Sequence, residues 1–165
     1  MVFSLDELVR VLSECKRQLF IPKFPEVKSD KKDTRMIEAY NGEWRYTAYF
    51  TDLPFLPQNE EISYALIPVW NIAYSGGMIA PYSENATFVD QVNNFLRKAL
   101  MPVDSIGIFR GHKKFSELGY QYSNPDRSDL RNARTDREES GSERVLYNGK
   151  KVWLVHHAWE LKLPK

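Results

Sequence analysis

The sequence predicts an α+β fold in which two helices pack on one face of an antiparallel sheet. Three features predict this class: two amphipathic stretches with helix-start signals, Asn-Gly dipeptides typical of hairpin turns, and a segment that recurs 83 residues later. Two copies of a unit with one helix and a few strands bury their apolar surfaces most simply by placing both helices on one side of a shared sheet. We therefore expect a single domain, residues 1–165, made of two similar halves of about residues 1–80 and 81–165.

The first helix is predicted to begin near Ser4. Glu7 follows Ser4 by three residues, the spacing of a capping box in which each side chain satisfies a backbone donor of the first turn. Pro22 and Pro25 mark its end. The apolar residues recur at spacings of three and four, which indicates one buried helix face: Leu5, Leu8, Leu12, Cys15 and Leu19.

A hairpin is predicted at Asn41-Gly42, because this dipeptide tolerates the positive φ angles of a type I′ turn. The alternation in the strand that follows places four residues on one face: Trp44, Tyr46, Ala48 and Phe50. The run from Glu61 to Tyr74 is rich in β-favouring residues, with a bend expected near Pro68.

The second helix is predicted to begin at Thr87, with Asp90 as the partner in a capping box, and to end before Pro102. Its apolar stripe consists of Phe88, Val92, Phe95 and Ala99. Short β-type runs follow near residues 106–109 and 119–122, and a last hairpin turns at Asn148-Gly149. The segment 123–142 carries only two apolar residues and is predicted to be a flexible polar loop.

Residues 60–74 and 143–157 align without a gap. Each copy follows a helix and an aromatic strand, Trp44-Arg45-Tyr46 in the first half and Tyr120-Gln121-Tyr122 in the second. The matching order of elements favours an internal duplication, with a binding groove expected between the halves. The identical pairs are Glu60 with Glu143, Tyr64 with Tyr147, Val69 with Val152, and Trp70 with Trp153.

Several short motifs resemble those of an uncharacterised domain family found in bacterial and archaeal proteins, alone or behind a repressor-type helix-turn-helix region. The motifs are Trp70, Tyr74 and Gly76 in a Trp-x-x-x-Tyr-x-Gly signature, the run from Phe95 to Leu100, Arg110-Gly111, Tyr120 with Tyr122, and Gly141-Ser142-Glu143. The chain departs from the family in ending its last strand with His157-Ala158-Trp159, where a His-Gly-Gly is typical, and in an enlarged loop after Ser123. The resemblance implies a stand-alone module of a presumed sensor type, with no activity to transfer.

Composition excludes several classes of function. A net charge of +1 gives no global attraction for nucleic acid, and no run of 18 apolar residues predicts a membrane span. The N-terminus lacks an export signal, and the single cysteine, Cys15, suits a reducing compartment, so we expect a cytoplasmic protein. We expect no cofactor and no metal, because phosphate-cradling glycine loops, nucleophile elbows and metal-ligand spacings are absent from the sequence.

The aromatic content of 13% without catalytic spacing favours a non-catalytic sensor or binding module for a small amphipathic or aromatic ligand. Apolar stripes at strand period usually belong to the core, so the alternative is that these rings pack beneath the two helices. The predicted ligand-binding residues are Trp44, Tyr46, Trp70, Tyr74, Arg110, Tyr122, Trp153 and His157.

Two other functions remain open from the sequence. His157 is the candidate catalytic residue of an enzyme that would use it with a carboxylate or with Arg110. The other alternative is a homodimer that forms by pairing of sheet edges and takes no small ligand.

Overall fold

The structure, a computed structural model, describes residues 3–18, 26–28, 34–50, 57–101, 111–125 and 138–162. The helices are α1 (Leu5–Gln18) and α2 (Ala86–Leu100), with a short 3-10 helix at Tyr82–Glu84. The described strands are β1 (Glu26–Lys28), β2 (Arg35–Asn41), β3 (Trp44–Phe50), β4 (Asn59–Tyr64), β5 (Ile67–Met78), β6 (Lys114–Glu117), β7 (Tyr120–Ser123), β8 (Glu138–Tyr147) and β9 (Lys150–Leu161). They form one antiparallel sheet in the order β1-β2-β3-β4-β5-β9-β8-β7-β6, which confirms the α+β class.

The first helix begins as predicted and the second begins two residues earlier. The Glu7 backbone N–H donates to Ser4 Oγ at 3.1 Å. In α2 the capping side chain is Asn85, whose Oδ1 accepts from the Phe88 backbone N–H at 3.0 Å, so the prediction of Thr87 was wrong. Asparagine caps helices at least as well as threonine, and here it stands where the chain leaves the 3-10 helix.

Both helices contact the same face of the sheet, which we call the inner face. Trp44 Nε1 in β3 donates to Glu7 Oε1 of α1, and Tyr120 Oη in β7 donates to Gln91 Oε1 of α2, both at 3.2 Å. The register of the strands shows that these two contacts lie on the same face, because directly opposed residues of neighbouring strands point to the same side of the sheet. Along this face the directly opposed residues are Tyr46, Ile62, Trp70 and Leu161 in one row, and Met78, Trp153, Val145 and Tyr122 in another.

The hairpin turns follow the sequence signals only in part. Asn148 and Gly149 have φ of +47° and +78°, as a type I′ turn requires. Asn41, however, pairs with Trp44, so the first turn is Gly42-Glu43, one residue later than predicted. Ala65 and Leu66, with φ of +48° and +68°, form a further turn between β4 and β5 where the sequence indicated only a bend at Pro68.

The two halves of the sheet meet at β5 and β9. Trp70 lies opposite Leu161, Met78 lies opposite Trp153, and between them Tyr74 lies opposite His157. The 83-residue offset of the sequence alignment relates Tyr74 to His157. The pairing of β5 with β9 is thus symmetric about Tyr74 and His157. We call this place, where the two halves of the sheet meet, the junction of the halves.

Part of the predicted polar loop is a strand. Ser123 ends β7, and residues 138–142 belong to β8, where Ser140 lies opposite Ala158 and Ser142 opposite His156. The low apolar content of this segment predicted a loop, but its backbone pairs with β9 and so residues 138–142 form a strand. Residues 126–137, the run near 106–109 and Arg110 lie outside the described residues.

A close approach of β5 to β9 makes Gly76 a sensitive position. Gly76 has φ +118°, and a Cβ there would overlap the Leu154 backbone carbonyl oxygen. We expect Gly76→Ala to lower the free energy of unfolding by about 1–3 kcal/mol more than Gly77→Ala, measured by urea unfolding. Gly77 is a matched control because its φ is also positive, at +152°, while a Cβ there would meet nothing within 4 Å. Equal losses in the two variants would contradict the close approach.

The core lies between the inner face and the helices. Cys15 is buried in it, and burial, followed by the nearby Glu14 carboxylate, raises the pKa of its thiol to about 12. The side chain is therefore a neutral thiol at physiological pH and packs as a small apolar group. Within the described ranges, neither helix is long and apolar enough to cross a membrane.

Candidate functional site

A buried carboxylate, Glu60, organises the first half of the inner face. Its side chain is fully buried and lies between three donors. Tyr46 Oη donates to Oε2 and Tyr74 Oη donates to Oε1, each at 2.9 Å, and Lys16 Nζ of α1 lies 2.9 Å from Oε2. Burial of an ion pair carries a large desolvation cost, and these hydrogen bonds are what offsets it.

The packing around this pair favours its charged form. Lys16 is as buried as Glu60, and its Nζ lies 4.9 Å above the centroid of the Trp70 ring, in a cation–π contact. Burial, then the neighbouring Glu60 carboxylate, raises the pKa of Tyr46 well above its usual value. Tyr46 therefore remains a neutral donor to Glu60 over the physiological pH range.

A second buried carboxylate, Glu143, lies in the other half. Tyr122 Oη donates to its Oε2 at 2.8 Å, just as Tyr46 does to Glu60. The other oxygen, Oε1, lies 4.0 Å from His157 Nδ1 and has no hydrogen-bond partner among the described residues. The Tyr74 ring contacts the His157 ring edge-on at 6.3 Å between centroids, so the two carboxylate clusters adjoin at the junction of the halves.

A cavity of about 450 Å³ opens over the same junction. Tyr74 and His157 are nearly buried, whereas His156, Ser75 and Ser140 are exposed and point to the opposite, outer face of the sheet. Strand alternation therefore places most of the cavity on the outer face, away from the helices. The lining residues are Ala73, Tyr74 and Ser75 of β5, Ser140, Gly141 and Ser142 of β8, and His156, His157 and Ala158 of β9.

The predicted site residues separate into two groups. Tyr74 and His157 line the cavity. The rings of Trp44, Tyr46, Trp70, Tyr122 and Trp153 are buried on the inner face, and Arg110 is not among the described residues.

The sequence reasoning missed the polar residues of the cavity, which are Ser75, Ser140, Ser142 and His156. A signal for them was present. Small residues alternate along β5 at Ala73, Ser75 and Gly77, on a face where strands usually carry larger side chains.

The described residues hold no group of three or more histidine, cysteine or acidic side chains arranged to bind a metal ion. The groups at the junction are a histidine, tyrosines, serines and two buried carboxylates, which are capable of hydrogen bonding and proton transfer.

Comparisons with known proteins identify a family but no function. No curated protein and no solved structure shows a significant match to the chain. One family model, described as a domain of unknown function, matches residues 47–159, a range that includes both buried carboxylates and every lining residue of the cavity. The chain therefore belongs to the DUF5680 family of domains of unknown function.

Proposed function

We propose that this protein is a non-catalytic module that binds a small molecule in the cavity over β5, β9 and β8. The observation that carries the proposal is the cavity itself, whose volume of about 450 Å³ lies within the range of roughly 300–1,000 Å³ usual for ligand sites. Its position at the junction of the two halves agrees with the site expected from the repeated sequence. Tyr74 and His157, which were predicted to bind ligand, belong to its lining.

The position of the cavity relative to the buried network supports a sensor role. His157 and Tyr74 contribute to the lining and also contact Glu143 and Glu60. A ligand in the cavity would thus contact strands that carry the buried carboxylates, and it would stabilise the fold by about 2.7 kcal/mol at a concentration of 100 times Kd.

The test is a thermal-shift screen of metabolites against three forms of the protein. We expect at least one compound to raise the Tm of the wild type and of Gln121→Trp, but not of Ser75→Trp. A tryptophan side chain at position 75 occupies part of the cavity and obstructs it, whereas Gln121 is an exposed β7 residue outside it. A compound that stabilises all three forms equally would place its site elsewhere, and a screen with no stabilising compound would count against the proposal.

An enzyme is the second candidate, and one distance favours it. His157 Nδ1 lies 4.0 Å from Glu143 Oε1, and Tyr122 holds the other carboxylate oxygen. A carboxylate that hydrogen-bonds to a histidine orients it as a general base, and in this structure the two atoms lie just beyond hydrogen-bond distance. If this candidate is correct, His157→Gln and Glu143→Gln would both abolish turnover of a substrate found by screening, with Tm values close to that of the wild type.

We also propose that the two halves arose by duplication. The support is the symmetric register of β5 with β9 and the matching tyrosine–glutamate hydrogen bonds, Tyr46 to Glu60 and Tyr122 to Glu143. On this account Glu60 and Glu143 are equivalent residues with different partners, a lysine in one half and a histidine in the other.

A further inference from the structure

Three polar residues form a row across the outer face of the sheet. His156 in β9 is directly opposite Ser75 in β5 and directly opposite Ser142 in β8. Directly opposed residues on antiparallel strands have Cβ atoms about 4.5–5.5 Å apart. The imidazole of His156 is therefore flanked on both sides by a hydroxyl group, and all three residues line the cavity.

The next row explains why space remains in front of this histidine. Ala73, Ala158 and Ser140 are directly opposed in the same three strands. Their side chains are short and leave space beside the Ser75–His156–Ser142 row, and the residues of both rows line the cavity. Ser140 adds a third hydroxyl to the lining.

The charges at the two ends of the cavity differ in sign. One end is acidic, because Glu160 of β9, which forms an ion pair with Lys162 Nζ at 3.0 Å, lies directly opposite Glu138 of β8. Along β8, Arg144 lies two residues beyond Ser142 on the same face, and its Nε donates to a neutral group, Ser123 Oγ, at 3.0 Å. The Arg144 end of the cavity therefore favours a negatively charged ligand group.

We propose that the Ser75–His156–Ser142 row binds an oxyanion, the phosphate or carboxylate group of the small molecule that occupies the cavity. Serine hydroxyls and an imidazole N–H are hydrogen-bond donors suited to anionic oxygens, and bonds to a charged acceptor are stronger than those to a neutral one. This inference rests on the proposed function and names the chemical class of its ligand.

The test is an NMR titration of ¹⁵N-labelled protein with inorganic phosphate and, separately, with acetate, at ionic strength held constant with sodium chloride. We expect saturable shifts of the Ser75, Ser142 and His156 signals with at least one of the two anions. Saturation by phosphate alone assigns a phosphate-bearing ligand, and saturation by acetate alone assigns a carboxylate.

Two variants make the titration decisive. His156→Ala removes an exposed side chain and is expected to weaken anion binding at least tenfold while the spectrum stays folded. Ser116→Ala, an exposed serine of β6 outside the cavity, is the matched control and should bind as the wild type does. Unsaturable shifts, or equal affinity in His156→Ala and wild type, would overturn the inference.

Failure of the inference is distinguishable from failure of the proposed function. If neither anion binds but an uncharged compound from the thermal-shift screen does, and Ser75→Trp blocks it, the cavity is a ligand site of another chemical class. If neither the anions nor any screened compound binds, both proposals fall.

Discussion

Replacing Lys16 with methionine is expected to lower the free energy of unfolding by about 3–5 kcal/mol, the cost of breaking a buried ion pair by removing one partner. Lys16 Nζ lies 2.9 Å from Glu60 Oε2, and both side chains are almost wholly inaccessible to solvent. Methionine keeps the length of the side chain but leaves the Glu60 carboxylate buried without a cation. Urea denaturation of the variant and the wild type measures the loss.

Two further variants establish that this effect comes from burial of the charge. Lys98→Met breaks an exposed ion pair with Glu117, 2.7 Å between Nζ and Oε2, and should cost no more than about 1 kcal/mol. The double variant Lys16→Met with Glu60→Gln should regain much of the loss, because no charge is left buried. The amide oxygen accepts from one of the two tyrosines that bind Glu60, and the amide NH2 donates to the hydroxyl oxygen of the other. A Lys16→Met protein as stable as Lys98→Met would refute the buried pair.

The second large effect is expected at Trp153, which is fully buried at the centre of the inner face. Trp153→Ala should lower the free energy of unfolding by about 3–5 kcal/mol, the range for removing a large aromatic side chain from a packed core. Trp153 lies directly opposite Met78 in β5 and Val145 in β8. Because both neighbouring strands are paired with β9, they cannot move in to fill the space that the ring leaves. Chemical denaturation monitored by circular dichroism measures the change.

Tyr40→Ala is the control, since Tyr40 is an aromatic strand residue that is 67% exposed, and its loss should change stability by only about 0.5 kcal/mol. The comparison separates two interpretations of the aromatic residues. If Trp153→Ala remains as stable as the wild type but no longer binds ligand, the rings form a ligand site on the inner face and the assignment of Trp153 to the core is wrong.

Elements whose signal is local were predicted well from the sequence. Ser4 caps α1, and Asn148-Gly149 forms its turn. The four residues predicted to share one face of β3 are all buried, although Thr47 on the opposite face is buried as well. Each of these features is determined by interactions among a few neighbouring residues, so the residues that cause it can be recognised within one short segment of the sequence.

Features that depend on strand register were harder to predict. Ala65-Leu66 is not a typical turn dipeptide, yet both residues adopt positive φ, which adds a hairpin and fixes the pairing of β4 with β5. Glu60 was identified from the sequence only as an identical position of the repeat, and its role as a buried hydrogen-bond acceptor was not predicted. Its donors come from β3, β5 and α1, and no local pattern shows that these side chains converge.

The cavity illustrates the same limit. Its polar lining comes from three strands that are adjacent only because β5 and β9 join the halves. The aromatic residues directed the sequence-based hypothesis to the inner face, where helices cover them. Tyr74 and His157 belong to both locations, since they are part of the inner network and line the cavity as well.

A crystal structure of the protein with a compound from the thermal-shift screen tests most directly whether a small molecule binds over β5, β9 and β8. We predict ligand density on the outer face, in contact with Ser75, His156 and Ser142. Density between the helices and the sheet, against Trp70 and Trp153, would contradict the account and return the site to the aromatic inner face.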